Sequence, residues 1–171
     1  SPARALHQTV SMEIRFVEQT ELHILETLAR RIWPHTYSDI ISTEQMEFML
    51  NWMYSTETLS QQWQDGHEFY LISKDNTDVG FIALEQAGQE LKVNKVYVLP
   101  EIQGSGAGKQ LMDKAIERAK TKNCTHLFLQ VNRANKAKFF YDKLGFTIRS
   151  EEDFDIGNGF FMNDYVMELK V

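Results

Sequence analysis

Residues 91–112, LKVNKVYVLPEIQGSGAGKQLM, hold a strand-like run, a proline, a glycine loop and the start of a helical pattern. Leu91 and Val93 sit at odd positions, whereas Val96 and Val98 sit at even ones, so one extra residue interrupts the alternation of a half-buried strand. A β-bulge near Asn94 and Lys95 would absorb that residue and splay the strand from its neighbour. The other reading is a strand end buried on both faces through Tyr97 and Leu99. The loop that follows, Gln103-Gly104-Ser105-Gly106-Ala107-Gly108, opens a helix at Lys109. A helix N-terminus reached through glycines offers free N–H groups and a positive dipole end to an anion; the alternative is a glycine-rich turn with no ligand.

Spacing excludes three familiar uses of such a loop. A P-loop needs glycine where Gln103 stands and a hydroxyl after its lysine, where Gln110 stands. The dinucleotide fingerprint is G-x-G-x-x-G, whereas Gly104, Gly106 and Gly108 follow G-x-G-x-G. A nucleophile elbow around Ser105 would need glycines in place of Gln103 and Ala107.

On either side the periodicity switches regularly. Residues 12–18 alternate as a strand, and a helix capped by Thr20 is expected to stop at Pro34. Ser42 and Gln45 form a capping box for a second helix that buries Met46, Met49, Leu50 and Met53. A weaker helix covers TETLSQQWQDG, and residues 68–74 and 79–86 read as a hairpin about DNTD. Past the glycine loop, Leu111, Met112, Ala115, Ile116 and Ala119 form a helical stripe, and HLFLQVN is a strand. Ala137, Phe140, Tyr141 and Leu144 form another stripe, closed by Gly145. The end reads as a hairpin: FTIRS, a polar loop with GNG, and a strand with Tyr165, Met167, Leu169 and Val171 on one phase.

The 171 residues suit one α/β domain, a mixed sheet flanked by helices, over residues 12–171, with residues 1–11 as a tail or remnant. A net charge of −6 speaks against a nucleic-acid surface and for a cationic or neutral small partner. The single Cys124 forms no internal disulfide, no stretch is long enough for a membrane span, and the start lacks a signal peptide's apolar core. A soluble, cytoplasmic protein without a metal is expected, with a homodimer left open.

VYVLPEIQGSGAGKQLM followed by FLQVNRANKAKFFYDKLGF resembles the GNAT superfamily of acyl-CoA N-acyltransferases. The family's Q/R-x-x-G-x-G/A is met by Gln103, Gly106 and Gly108. Its later asparagine-to-glycine motif is met by Asn135, Ala137 (one place early), Phe140, Tyr141, Gly145 and Phe146. The match spans roughly residues 79–149, and the expected order of elements agrees along the whole chain.

The resemblance implies acetyl-CoA as co-substrate and a small-molecule amine as acceptor. It implies a seat for the coenzyme A pyrophosphate on the backbone amides of Gln103, Gly104, Ser105, Gly106, Ala107, Gly108 and Lys109. The pantetheine arm would lie in a V-shaped gap beside the bulged strand, paired with backbone groups of Val96, Tyr97 and Val98. The Val98 N–H would polarise the thioester carbonyl. Asn132 and Asn135 would line the other wall, and Tyr141 would protonate the leaving thiolate.

An alkyl amine titrates near 10 and must lose a proton before it attacks. Many relatives carry a glutamate for this in the bulged strand, but this strand's interior offers Lys92, Asn94 and Lys95. Glu90 at its start and Glu85 on the preceding strand are the candidate bases, and a water relay is the alternative. Trp33, His35, Tyr37, Trp52 and Tyr54 are candidates for an acceptor cleft or for the core. The late GFFMNDYVM segment and the net acidity resemble the bacterial spermidine/spermine acetyltransferase branch, which makes a polyamine the leading acceptor. Amino acids, antibiotic amines and protein N-termini compete with it. Two further readings remain: a non-catalytic acyl-CoA-binding sensor, and a nucleotide-binding protein.

Overall fold

Seven alternating segments pair into one mixed sheet in the order β1-β2-β3-β4-β5-β7-β6, in a computed structural model that describes residues 11–171. The expected tail lies outside the described residues except for Ser11, whose carbonyl accepts the Asp75 N–H at 2.9 Å. The strands are β1 (Met12–Phe16), β2 (Glu68–Lys74), β3 (Thr77–Ala87), β4 (Glu90–Val98), β5 (His126–Asn132), β6 (Thr147–Gly157) and β7 (Phe160–Lys170). The helices are α1 (His23–Tyr37), α2 (Thr43–Met53), α3 (Thr56–Gln64), α4 (Ala107–Thr121) and α5 (Ala137–Lys143). Among the described residues only β4 and β5 run parallel, joined through α4, and every other neighbouring pair is antiparallel.

Two boundaries differ from the sequence expectation. Pro34 does not end α1, which continues to Tyr37. The proline lies in the last turn, where few further helical bonds depend on its missing N–H. The buried rings of Trp33 and Tyr37, 4.9 Å apart, hold that turn against the sheet. The polar segment before GNG is not a loop but the second half of β6. An edge strand paired on one side only and largely exposed needs no apolar alternation, so its pattern is invisible to hydrophobic periodicity. Thr20, in turn, falls in a short 3₁₀ turn before α1.

Pairing assigns two faces. Phe81, Ala83 and Glu85 on β3 stand with Lys92, Lys95 and Tyr97 on β4, and then with Gln130 and Asn132 on β5 and Asp164 on β7. This face meets α1 and the end of α2: Tyr97 packs 5.8 Å from Trp33, and Phe81 packs 6.0 Å from Tyr54. The opposite face carries Leu84, Val93, Leu127, Leu129 and Met167 in the core with Leu111, Met112 and Ala115 of α4. The second face is apolar, whereas the first becomes polar towards the middle of the sheet.

β3 and β4 approach closely where Gly80 pairs with Val98. A Cβ on Gly80 would lie 2.8 Å from the Tyr97 carbonyl and 3.2 Å from methyl groups of Ile72 and Val98. Gly80→Ala is therefore expected to lower stability by about 1–3 kcal/mol, the usual cost of overpacking. Denaturant unfolding checks this; an unchanged midpoint would refute it.

Candidate active site

The bulge falls where the alternation slips. Ala83 pairs with Lys95 and Leu84 with Val93, so Asn94 is the residue without a partner on β3. Parallel pairing of β4 with β5 stops at the same place, its last pair being Val93 with Leu129. Beyond it β5 continues to Asn132 on β7 alone, and a gap opens between the two parallel strands. The Leu99 N–H is donated to the Val79 carbonyl on β3 at 2.8 Å. Backbone groups alternate in direction along a strand, so those of Val96 and Val98 face the gap. Tyr97 differs from the expectation: its carbonyl points at Gly80 on β3, and its side chain lies on the cleft face.

At the head of the gap the glycine loop presents unpaired donors. Gly104 and Gly106 adopt φ of 85° and 91°, left-handed values open to glycine at little cost. The Gln103 N–H is donated to the Pro100 carbonyl and the Ser105 N–H to the Ile102 carbonyl, while the Ala107 N–H reaches Ser105 Oγ at 3.4 Å. Among the described residues, no acceptor meets the N–H groups of Gly104, Gly106, Gly108 or Lys109. The first α4 bond is made by Gln110, to the Gly106 carbonyl. Four amides around the start of a 15-residue helix suit a diphosphate. Lys109 offers its amide rather than its ammonium, which pairs with Asp113 at 3.0 Å.

A cleft of about 460 Å3 adjoins the gap on the polar face of the sheet. Trp33, Tyr37 and Trp52 line it as candidates from the sequence; Tyr54 is buried in the core, and His35 does not contribute. Its polar wall is Glu85, Lys92, Asn94 and Lys95 on one side of the gap, and Gln130, Asn132 and Asp164 on the other. Lys95 is 4% exposed, and burial with Lys92 nearby lowers its ammonium to about 8. Asp164 is 3% exposed, and burial raises its carboxyl to about 6. Tyr37 and Tyr97 share a hydrogen bond at 2.8 Å across the upper cleft, and burial raises both phenols.

These features agree with what comparison finds. A family model described as an acetyltransferase (GNAT) domain matches residues 37–169. A spermidine N(1)-acetyltransferase of Thermoplasma acidophilum is 31% identical over 167 residues, covering 94% of this chain and 98% of the relative. This chain belongs to the GNAT acetyltransferase family. A ribosomal protein bS18 alanine N-acetyltransferase of Haemophilus influenzae is 30% identical over 113 residues, 64% of this chain and 74% of the relative. The crystal structure of a PaiA N-acetyltransferase from T. acidophilum in complex with coenzyme A superposes with a TM-score of 0.80. It is 32% identical and covers 94% of this chain and 99% of that one. No helix among the described residues of this acetyltransferase is long and apolar enough to cross a membrane.

The positions of several residues expected from the resemblance are as follows in the fold. Tyr141 lies on α5, 6% exposed between Phe140 and Phe146, with its phenol pushed up by burial. Asn132 and Asn135 flank the open end of β5. Their side-chain oxygens accept the N–H groups of Ala134 and Ala137, both at 2.9 Å, and so shape the turn into α5.

Glu90 is a correction. It stands at the closed end of the β4–β5 pair, opposite His126 and away from the cleft. Arg149 donates to both Glu90 and Glu168, and His126 lies 3.8 Å from the Glu90 carboxylate. Held by a guanidinium on the wrong end of the strand, it is no base for the cleft. Glu85 does line the cleft, accepting from the Asn94 amide at 3.0 Å and lying 3.7 Å from His67. The residue that sequence reasoning missed is Asp164. The signal was available as an acid on the second phase of β7, between Met162 and Val166.

A carboxyl raised from 3.8 to about 6 favours its protonated form in the folded state. That contribution is complete below the unfolded value and is lost as pH rises through about 6. Asp164→Asn is expected to be more stable than the wild type at pH 7.5, by about 1–2 kcal/mol after allowing for water in the open cleft. The difference should vanish near pH 4. Thermal unfolding at the two pH values checks it; a less stable variant at pH 7.5 would refute it.

Proposed function

We propose that this acetyltransferase moves the acetyl group of acetyl-CoA to the primary amine of a small molecule, by direct attack with both substrates bound. A polyamine is the leading acceptor. The observation that carries the reading is the meeting of three features at one place: unpaired loop amides, a strand gap with open backbone groups, and a cleft against that gap.

The amides of Gly104, Gly106, Gly108 and Lys109 hold the pyrophosphate. Val96 and Val98 offer the pantetheine arm the backbone bonds that β5 no longer makes, and the Val98 N–H stabilises negative charge on the thioester oxygen. Asn135 supports the arm from the other wall. Tyr141 donates to the leaving sulfur, and its burial keeps the phenol protonated throughout the working range. The Thermoplasma relative named for spermidine supports a polyamine, as do the carboxylates of Glu85 and Asp164 in the cleft. Aromatic and apolar side chains on the helical side, Trp33, Trp52 and Met53 among them, suit the methylene segments between charges.

Coenzyme A release from acetyl-CoA is to be measured with spermidine, spermine, amino acids and an alanine-initiated peptide. Turnover is expected with the polyamines at the highest kcat/KM. Binding of acetyl-CoA without turnover of any amine would leave a binding module instead, and preference for the peptide would move the acceptor to a protein N-terminus. Stabilisation by ATP but not by acetyl-CoA would overturn the cofactor assignment. Tyr141→Phe is expected to lower kcat by about 10²-fold with little change in acetyl-CoA affinity. Unchanged turnover would remove Tyr141 from the reaction.

A further inference from the structure

We propose that the Asp164 carboxylate takes the proton from the acceptor amine, a role that rests on the acetyl-transfer reading above. The acceptor arrives as an ammonium ion, because alkyl amines titrate near 10. Its lone pair is released only when a group in the cleft removes a proton.

The alternatives are engaged elsewhere. Glu90 is held by Arg149 outside the cleft. Glu85 is fixed by the Asn94 amide, with His67 beside it, and its side chain is 39% exposed. Asp164 is buried, yet among the described residues its carboxylate accepts only a long 3.5 Å bond, from the Gln130 amide. No lysine, arginine or histidine nitrogen among the described residues lies within 4 Å of it. Arg133 donates to the Asp164 backbone carbonyl and pairs with Asp153, so its charge acts on the carboxylate through space without a hydrogen bond to it.

Position favours it as strongly as availability. Asp164 pairs with Asn132 at the last residue of β5, and Gln130 lies where β5 has already left β4. Both sit on the cleft face, so the carboxylate lies against the wall of the gap that faces the acceptor. The groups around it come from several elements: Lys92 from β4, Gln130 from β5, Arg133 after β5, Tyr37 from α1 and, on β6, its cross-strand partner Glu152, an exposed like charge. The two cations favour its ionised form, and burial opposes them and prevails, keeping the carboxyl titrating close to the working range. A base so tuned is ionised at neutral pH and still basic enough to accept a proton in the transition state.

The step balances. The ammonium gives one proton to Asp164, which passes it to solvent. The nitrogen lone pair forms the bond to the thioester carbon as the carbon–sulfur bond breaks, and the sulfur leaves with that bond's electrons. A second nitrogen proton compensates the one donated to sulfur through Tyr141, and the third remains on the amide.

Asp164→Asn keeps the size of the side chain and its ability to accept from Gln130. With spermidine, or the best alkyl amine of the panel, the wild type is expected to show kcat/KM rising through an acid limb near pH 6 and then level. In Asp164→Asn the limb should disappear. Its kcat/KM should be about 10²-fold lower at pH 7 and should climb roughly tenfold per pH unit to pH 9, as the free amine becomes available. The deficit therefore narrows with pH, which a merely structural defect would not produce. His67, whose imidazole burial pushes below its ordinary value, also lines the cleft, so the limb is assigned by its loss in the variant. Asp164→Glu, which retains a carboxylate, should recover the level region at reduced rate. An equal loss at every pH, a wild-type profile in Asp164→Asn, or a glutamate variant that behaves like the asparagine one would each overturn the assignment. If the wild type acetylates no amine, the acetyl-transfer reading falls and this one with it.

Discussion

One unpaired residue, Asn94, governs the architecture of the site. In a sheet, each strand's backbone groups are consumed by its neighbours, and two parallel strands in register would leave nothing for a ligand. The bulge ends that register after Val93, so the far half of β4 is bonded on its β3 side only. The gap, the open amides of Val96 and Val98 and the mouth of the cleft all follow. β5 does not collapse back because β7 continues to pair it to Asn132. A backbone vacancy is thus held open by the pairing on either side of it.

The same geometry concentrates charge where water is scarce. Glu85, Lys92, Lys95 and Asp164 all stand on one face of the sheet under α1, α2 and α3, although they come from three strands. Desolvation is the first cause of the shifts at Lys95 and Asp164, and in both it favours the neutral form. The lysine is thereby made easier to neutralise and the carboxyl easier to protonate. The opposite outcome is reached beside α4. There burial also pushes the Glu68 carboxyl up, but Arg118, Tyr70 and Lys122 all donate to it and together outweigh burial, bringing it down to about 2. Identical chemistry therefore serves as a fixed structural anchor in one place and as a titrating group in another.

Much of this was legible before any coordinates. The slip in alternation between Val93 and Val96 announced the bulge, and the glycines at 104 and 106 announced the turn that frees the loop amides. The helices and most strands followed from their apolar spacing. What escaped did so for identifiable reasons. The end of β6 carries no apolar alternation because it is an exposed edge. Pro34 is tolerated because its turn is the last one and the rings of Trp33 and Tyr37 pin it. Tyr97 was expected to lend its backbone to the gap, but strand alternation turns that backbone to β3.

The amino-acid sequence by itself determined most of the order of elements, the slip in strand alternation, the glycine loop and the family resemblance, because each is a local pattern of side-chain period, glycine placement and motif spacing. It could not determine which carboxylate lines the cleft. Glu90 and Asp164 are both acids on strands; the apolar phase of Met162 and Val166 marks Asp164 as inward-facing, but nothing local says what it meets there. Only the pairing of β4 with β5, and of β5 with β7, sends one to the closed end beneath Arg149 and buries the other in the cleft. Solvation and the positions of distant charges are properties of that assembled sheet, and they decide how readily each carboxyl holds a proton.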